Sequence, residues 1–361
     1  MKTIKELFPT PIGDATYFTL TNDNGHQVVL SSLGAAIVAI TVPDRNGNLA
    51  DVVIGYPDAA SYIGDGPCAG KTPGRYANRI ANGVFTLEGK TYNLPINNGP
   101  NHLHGGPDGY QNRIWQAEEI ASGKISFSIE SCEGDAGYPG NLKASVTYIW
   151  DNDDNLTIEY DATTDAPTII NLTNHSYFNM AGHNAGATKA MEQLLKLNCS
   201  KWLPNDETSV PVGEIASVEN TPMDFRVARK VGEAIFQAGK TPCTETLLTD
   251  FFAIRIGKGY DNCWLADKFD GNVNEIATLT DHESGRKVTV STDQPGVQVY
   301  GGNWVSGCPA GKEGAVYTDY CAVAIECQGC PDAPNKPNFP SQILNPGETY
   351  HRVIRFTFTA E

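Results

Sequence analysis

Val146-Thr-Tyr-Ile-Trp150, Asp151-Asn-Asp-Asp-Asn155 and Leu156-Thr-Ile-Glu-Tyr160 follow one another without interruption. Two runs of β-branched and aromatic residues flank a cluster of turn-forming ones, so the stretch from Leu142 to Asp161 reads as a long β-hairpin. The same period of two recurs on either side. Val84 to Leu94 predicts a hairpin turning at Glu88-Gly89-Lys90, where glycine supplies the positive φ of a tight turn. Ile125 to Ile129 and Lys287 to Ser291 alternate in the same way. The last strand, Tyr350 to Phe358, sets Tyr350, Arg352, Ile354, Phe356 and Phe358 on one face, which pins the carboxyl terminus into a sheet. Helical periodicity is scarce, and Arg226 to Ala238 is the best helix candidate. With 36 Gly and 22 Pro punctuating many strands, the expected architecture is all-β, a sandwich or a family of packed sheets. Neither linker nor repeat interrupts residues 1–361, so a single domain is expected.

Composition narrows the function. Hydrophobic residues make up 40% of the chain and charged ones 19%, which suits an ordinary globular core. A formal net charge of -16 repels nucleic acid and anionic membranes, whereas a neutral ligand is indifferent to it. The charges of Met1-Lys-Thr-Ile-Lys-Glu-Leu-Phe-Pro9 interrupt any signal-peptide apolar region, and no window offers the roughly 18 apolar residues of a membrane span. A cytoplasmic location is the expectation. The nine cysteines are an odd number in a long chain and read as reduced thiols. Cys327-Gln-Gly-Cys330 has the spacing of half a zinc site, but no second pair accompanies it, so no metal is expected. The Asp151–Asn155 cluster fails as a calcium loop, because Leu156 stands where glycine belongs and Ala162 where glutamate does; it reads as a solvated turn.

Four stretches gather ionisable groups where a plain strand has none. Gly74-Arg-Tyr-Ala-Asn-Arg-Ile80 holds two arginines among apolar neighbours, so at least one guanidinium near the core needs acceptors. Arg79 and Asn78 are either donors to a ligand's hydroxyls or parts of a structural ion pair. Asn97-Asn-Gly-Pro-Asn-His-Leu-His-Gly-Gly106 carries His102 and His104, which point the same way if the chain is extended, before glycines that permit a close approach or a sharp turn. Thr168 to Asn179 sets His175 among amides and hydroxyls able to fix its tautomer. In Tyr320-Cys-Ala-Val-Ala-Ile-Glu-Cys-Gln328, a carboxylate ends an apolar strand, and desolvation there raises its pKa toward that of a general base. Glu326 is thus the strongest single candidate, with a structural arginine partner as the alternative. Asp261, in the turn Gly259-Tyr-Asp-Asn262, and Gln298, on a probable strand, carry weaker signals.

Taken in order, Gly74–Ile80, Leu103-His-Gly-Gly106, Asn174-His-Ser-Tyr-Phe-Asn179, Gly259-Tyr-Asp261, Pro295-Gly-Val-Gln298, and Glu326 with Pro331-Asp-Ala-Pro-Asn335 resemble the galactose mutarotase (aldose 1-epimerase) family. The 25 residues between Arg79 and His104 agree with that family's spacing. The resemblance implies a large single-domain β-sandwich, the galactose mutarotase-like supersandwich, with few short helices and a sugar cleft. It implies an isomerase that interconverts α and β anomers of free aldoses such as galactose or glucose without cofactor or metal, in hexose metabolism. By analogy Glu326 is the base at the anomeric hydroxyl and His175 the acid at the ring oxygen. His104 assists near that centre, while Arg79, Asn78, Asp261 and Gln298 hold the other hydroxyls. Trp264 is a candidate stacking platform, and His102 receives no role. Cys327 departs from the family's commoner threonine and reads either as a tuner of the base or as a neutral small residue.

The competing readings are a hexose-6-phosphate 1-epimerase, which needs extra basic residues for a dianion, a non-catalytic sugar-binding protein, and a glycoside hydrolase, which needs a second carboxylate across the scissile bond. The expected partner is a small aldose, with no nucleic acid and no membrane; a monomer and a homodimer both fit.

Overall fold

A computed structural model describes residues 1–236 and 251–361. Alternation builds three main antiparallel sheets. The largest runs, in spatial order, through Gln116–Ala121, Lys124–Ser131, Leu142–Trp150, Asn155–Thr164, Tyr350–Ala360, Arg286–Thr292, Asn274–Thr280, Leu194–Leu197 and Arg229–Lys230. The carboxyl-terminal strand therefore lies in the middle of that sheet, bonded on both sides. A five-stranded sheet is formed by Lys2–Thr10, Gly13–Thr21, Gln27–Ser31, Ala36–Pro43 and Leu49–Asp51. A six-stranded one orders Tyr177–Phe178, Val323–Gln328, Gly296–Tyr300, Asp261–Leu265, Lys201–Leu203 and Ala216–Ser217.

One continuous core joins them. Val146, Tyr148, Ile158, Tyr160, Ile354 and Phe356 of the largest sheet pack with Phe18, Leu20 and Val28 of the second and with Val297, Val299 and Ile325 of the third. This is the β-sandwich that the alternation predicts. The expected hairpin at Glu88-Gly89-Lys90 joins Val84–Leu87 to Lys90–Asn93.

Two local expectations fail for identifiable reasons. Arg226 to Phe236 forms no helix: Arg229–Lys230 is a strand and turns follow it. The amides of Val231 and Gly232 donate to the carbonyls of Gln193 and Met191, so the backbone bonds across to a neighbouring segment instead of along itself. Residues 237 and 238 of that candidate lie outside the described residues. The α-helices among the described residues are Gly186–Glu192 and Phe252–Gly257. The Asp151–Asn155 turn is also more than solvated. Asn22 Nδ2 donates to Asp154 Oδ1 at 2.7 Å and to the Asp151 carbonyl at 3.0 Å, while His26 Nδ1 lies 2.8 Å from Asp154. The turn docks the largest sheet onto the five-stranded one.

Phe356 is fully buried between sheets, so Phe356→Ala should cost about 3–5 kcal/mol. Val227, which is 79% exposed, should tolerate alanine within about 0.5 kcal/mol. Urea unfolding midpoints of the two variants would separate these values, and equal shifts would contradict the packing described.

Candidate active site

Strand alternation supplies the floor of a cleft. In Val323–Gln328, Val323, Ile325 and Cys327 enter the main core, which turns Glu326 to the opposite face. The register sets Gln298 opposite Glu326, Cys263 opposite Gln298 and Tyr300 opposite Asp261. Directly opposed residues share a face, so Asp261, Gln298, Tyr300 and Glu326 stand on one side of the sheet. Asp261 opens a strand rather than sitting in a turn; the turn is made by Gly259, with φ of 150°.

A second group arrives from a small ladder in which Arg79 pairs with Leu103 and Ile80 with His102. Asn78 and His104 both adopt left-handed backbone, with φ of 66° and 53°. The His104 amide donates to the Asn78 carbonyl and the Asn78 amide donates to His104 Nδ1, each at 3.1 Å. Because Nδ1 accepts, the neutral ring carries its proton on Nε2. The left-handed turn also separates the two histidines, which the extended reading places side by side. His102 points into an apolar cluster, its Nε2 2.6 Å from the Tyr138 hydroxyl and its Nδ1 2.7 Å from the Pro95 carbonyl. Gly105 has φ of 79°, and a Cβ there would lie 1.7 Å from the Gly74 carbonyl oxygen. That glycine serves a close approach of backbone to backbone.

These elements enclose a cleft of about 390 Å³, within the range of small-molecule sites. Asn78, Arg79, His104, His175, Asp261 and Glu326 all line it. His175 Nε2 lies 3.5 Å from Glu326 Oε1, and the side chains are 7% and 2% exposed. The other carboxylate oxygen, Glu326 Oε2, is buried with no protein partner. Arg79 reaches Asp261 Oδ2 at 3.4 Å, and its Nε donates to Asn98 Oδ1 at 3.0 Å. Gln298 does not line the cleft: its Nε2 donates to Asp261 Oδ1 at 2.7 Å, so it orients that carboxylate.

Burial dominates the electrostatics. It pushes Glu326 well above the usual carboxylate range, reinforced by the charge of Asp261 and opposed by Arg79. It holds His175 down at about 4. His104 is likewise depressed by burial, and then by the neighbouring His175 and Arg79. All three shifts favour neutral forms, as desolvation requires.

Other sequence-based expectations resolve differently. Of the two arginines in the first stretch, Arg75 is the buried one; its guanidinium donates to the carbonyls of Pro139, Gly140, Ser131 and Cys132 and to the hydroxyls of Ser131 and Thr168. Trp264 is fully buried among Phe225 and Tyr260, with its indole N–H on the Met223 carbonyl, so it offers no platform. Trp304, 58% exposed, and Tyr300 line the cleft instead. Tyr300 was findable, since it lies two residues beyond Gln298 on the same strand face; Trp304 follows a glycine pair and carries no local signal. Cys327 enters the main core and Cys330 a separate apolar cluster with Cys263 and Leu203, so they do not converge on a metal. No group of His, Cys, Asp and Glu among the described residues is arranged to hold one.

The β-sandwich thus presents a buried carboxylate, two imidazoles and an arginine–aspartate pair in one polar cleft. A profile of the family described as aldose 1-epimerase matches residues 16–357, and the chain belongs to that family. It is 38% identical over 352 residues to a galactose mutarotase of Sus scrofa, covering 97% of this chain and 96% of the relative. It is 34% identical to an aldose 1-epimerase of Escherichia coli strain K12, covering 95% of each. Among solved structures, an aldose epimerase homologue from C. elegans superposes with a TM-score of 0.84 at 32% identity, covering 99% of both chains. A galactose 1-epimerase from Lactobacillus acidophilus gives 0.81 at 27%, again covering 99% of both.

The raised pKa of Glu326 has a stability consequence. The folded state binds its proton more tightly than the unfolded state, so stability falls as pH rises from the ordinary carboxylate range through the raised value. Glu326→Gln removes that loss. Its thermal midpoint at pH 8 should exceed the wild type's by about 1 °C or more, and calorimetry showing a lower midpoint would contradict the burial assigned to this carboxylate.

Proposed function

We propose that this chain interconverts the α and β anomers of a free aldose by acid–base ring opening and closure, with Glu326 and His175 as the working pair and residues 1–361 acting as one domain. The pair's one proton, which burial sets on Glu326, first passes across the 3.5 Å gap to His175; the Glu326 carboxylate then takes the proton of the anomeric hydroxyl while the His175 imidazolium protonates the ring oxygen. The C1–O5 bond breaks to the open-chain aldehyde, leaving a neutral carboxyl and a neutral imidazole. Rotation about the C1–C2 bond presents the other carbonyl face. His175 then takes the proton of the C5 hydroxyl, Glu326 returns its own to the carbonyl oxygen, and the ring closes as the opposite anomer. Such positioned groups are worth about 10² to 10⁴ each.

The observation that carries this reading is Glu326 Oε2, buried and unpartnered in the cleft, beside an imidazole 3.5 Å from its other oxygen. A buried acceptor without a partner is costly, and a sugar hydroxyl supplies the missing donor. His104, with its proton on Nε2, is a hydrogen-bond donor toward the reacting oxygens. Asn78, Arg79 and Asp261 hold the remaining hydroxyls, and Gln298 acts through Asp261. Arg79 is the sole Lys or Arg among the described residues lining the cleft, and it already faces Asp261 at 3.4 Å. That balance favours an unphosphorylated sugar over a phosphate dianion.

Polarimetry of freshly dissolved α-galactose and α-glucose tests the assignment. The wild type should accelerate equilibration, and Glu326→Gln and His175→Asn should each lose about 10² or more in kcat. Variants that keep full activity, or an inert wild type, would overturn it.

The pH profile is a second check. The pair holds one proton between the His175 value of about 4 and the raised value of Glu326. Below about 4 both groups are protonated and the base is lost, so kcat/KM should hold steady as pH falls through the ordinary imidazole value of 6.5 and decline only near 4. A break at 6.5 would show that His175 titrates as an exposed histidine.

A further inference from the structure

One buried ion pair near the cleft has no part in the chemistry above. The side chains of Lys71 and Asp65 are each 1% exposed, with Nζ 2.6 Å from Oδ1. Lys71 Nζ also donates to the Tyr62 carbonyl at 2.7 Å and to Asn112 Oδ1 at 3.4 Å, and Asp65 Oδ2 accepts the Ala69 amide at 2.9 Å. Burying two charges is costly unless each is paired and hydrogen-bonded, and both members of this pair are. Here it closes the loop from Asp65 to Lys71, whose residues Gly66, Pro67 and Cys68 form one wall of the cleft. The loop is bonded on both sides to the segment carrying the proposed acid: the Gly70 amide donates to the His175 carbonyl and the His175 amide to the Lys71 carbonyl, each at 2.9 Å. The Tyr177 hydroxyl donates to the Pro67 carbonyl at 2.8 Å. A Cβ on Gly70 would lie 1.9 Å from the Ile37 carbonyl oxygen, so the far side of the loop is pressed against the strand Ala36–Pro43.

We propose that the Asp65–Lys71 ion pair positions His175 against Glu326 and balances the charge around its imidazole. The proposal rests on the acid–base reading of that pair. His175 is also faced by Glu326 and by the rings of His104 and Tyr177 at 5.3 and 4.9 Å, and it shares the cleft lining with Asp261, Arg79 and Cys68. To this set the ion pair adds one charge of each sign. Asp65 favours the imidazolium and Lys71 opposes it. Removing either partner alone therefore moves the His175 titration in a direction set by the charge that remains, whereas generic loosening of the loop has no such sign.

The test compares Lys71→Met, Asp65→Asn and the double variant, read by imidazole NMR titration of His175 and by polarimetric kinetics on galactose. His175 should titrate higher in Lys71→Met, lower in Asp65→Asn, and close to the wild type in the double variant. All three should lose about tenfold or more in kcat through misplacement of the imidazole, with KM changed by less than about threefold, since the hydroxyl-binding residues lie elsewhere. Shifts in the same direction, or kcat within about twofold of wild type in the folded variants, would overturn the proposal. Should the single variants fail to fold, the double variant, with no unpaired charge left, decides on kcat alone. The NMR titration is independent of turnover, so a wild type inert toward sugars would remove the proposed function while leaving the charge-balance result readable.

Discussion

The carboxylate of Glu326 stands in the middle of a strand whose alternate residues, Val323, Ile325 and Cys327, are locked in the core between sheets. Those anchors hold the side chain buried at the floor of the cleft, and most of the surrounding arrangement answers to that constraint. A fully buried carboxylate is tolerated only as a neutral group or beside a partner. In this cleft, burial pushes its pKa up and that of His175 down, so one proton serves both groups. The same low-dielectric surroundings that make an unpartnered carboxylate oxygen costly make a donated hydrogen bond from a sugar hydroxyl worth more than it is in water.

The neighbouring polar groups are held in pairs, which keeps them from neutralising Glu326. Arg79 faces Asp261, and Gln298 donates to the other oxygen of that aspartate. His104 is tied through Nδ1 to the backbone of Asn78. The Asp65–Lys71 pair is closed on itself by carbonyl, amide and side-chain partners. Among the atoms left unpartnered there, with His175 Nδ1 and Gln298 Oε1, is Glu326 Oε2, where the proposed chemistry needs an acceptor. In the proposed function, hydroxyl binding and proton transfer fall to separate groups.

Much of this was legible in the sequence because strands advertise themselves by a period of two. The alternating runs Val146 to Tyr160, Lys287 to Ser291 and Tyr350 to Phe358, far apart along the chain, lie in one sheet and share one core. Glu326 was visible as a charge interrupting an apolar run. What escaped depends on contacts distant in sequence or on backbone conformation. Arg226 to Ala238 reads as a helix, yet the Val231 and Gly232 amides donate to the Gln193 and Met191 carbonyls, which claims that backbone. His102 and His104 look equivalent as residues and are separated by a positive φ at His104. Trp264 follows Asp261 at a distance that, on a strand, sends it to the opposite face and into the core, while Trp304 reaches the cleft from a loop.

The central claim is that only O–H and N–H protons move, through an open-chain aldehyde, between two groups sharing one proton. Saturation transfer between the α and β C1–H resonances of galactose in D₂O at neutral pH tests it most directly. The account predicts protein-dependent exchange between the two signals with no deuterium appearing at C1 or C2. Absence of exchange, or exchange accompanied by deuterium at C2, would contradict it, the latter by showing that a C–H bond is broken.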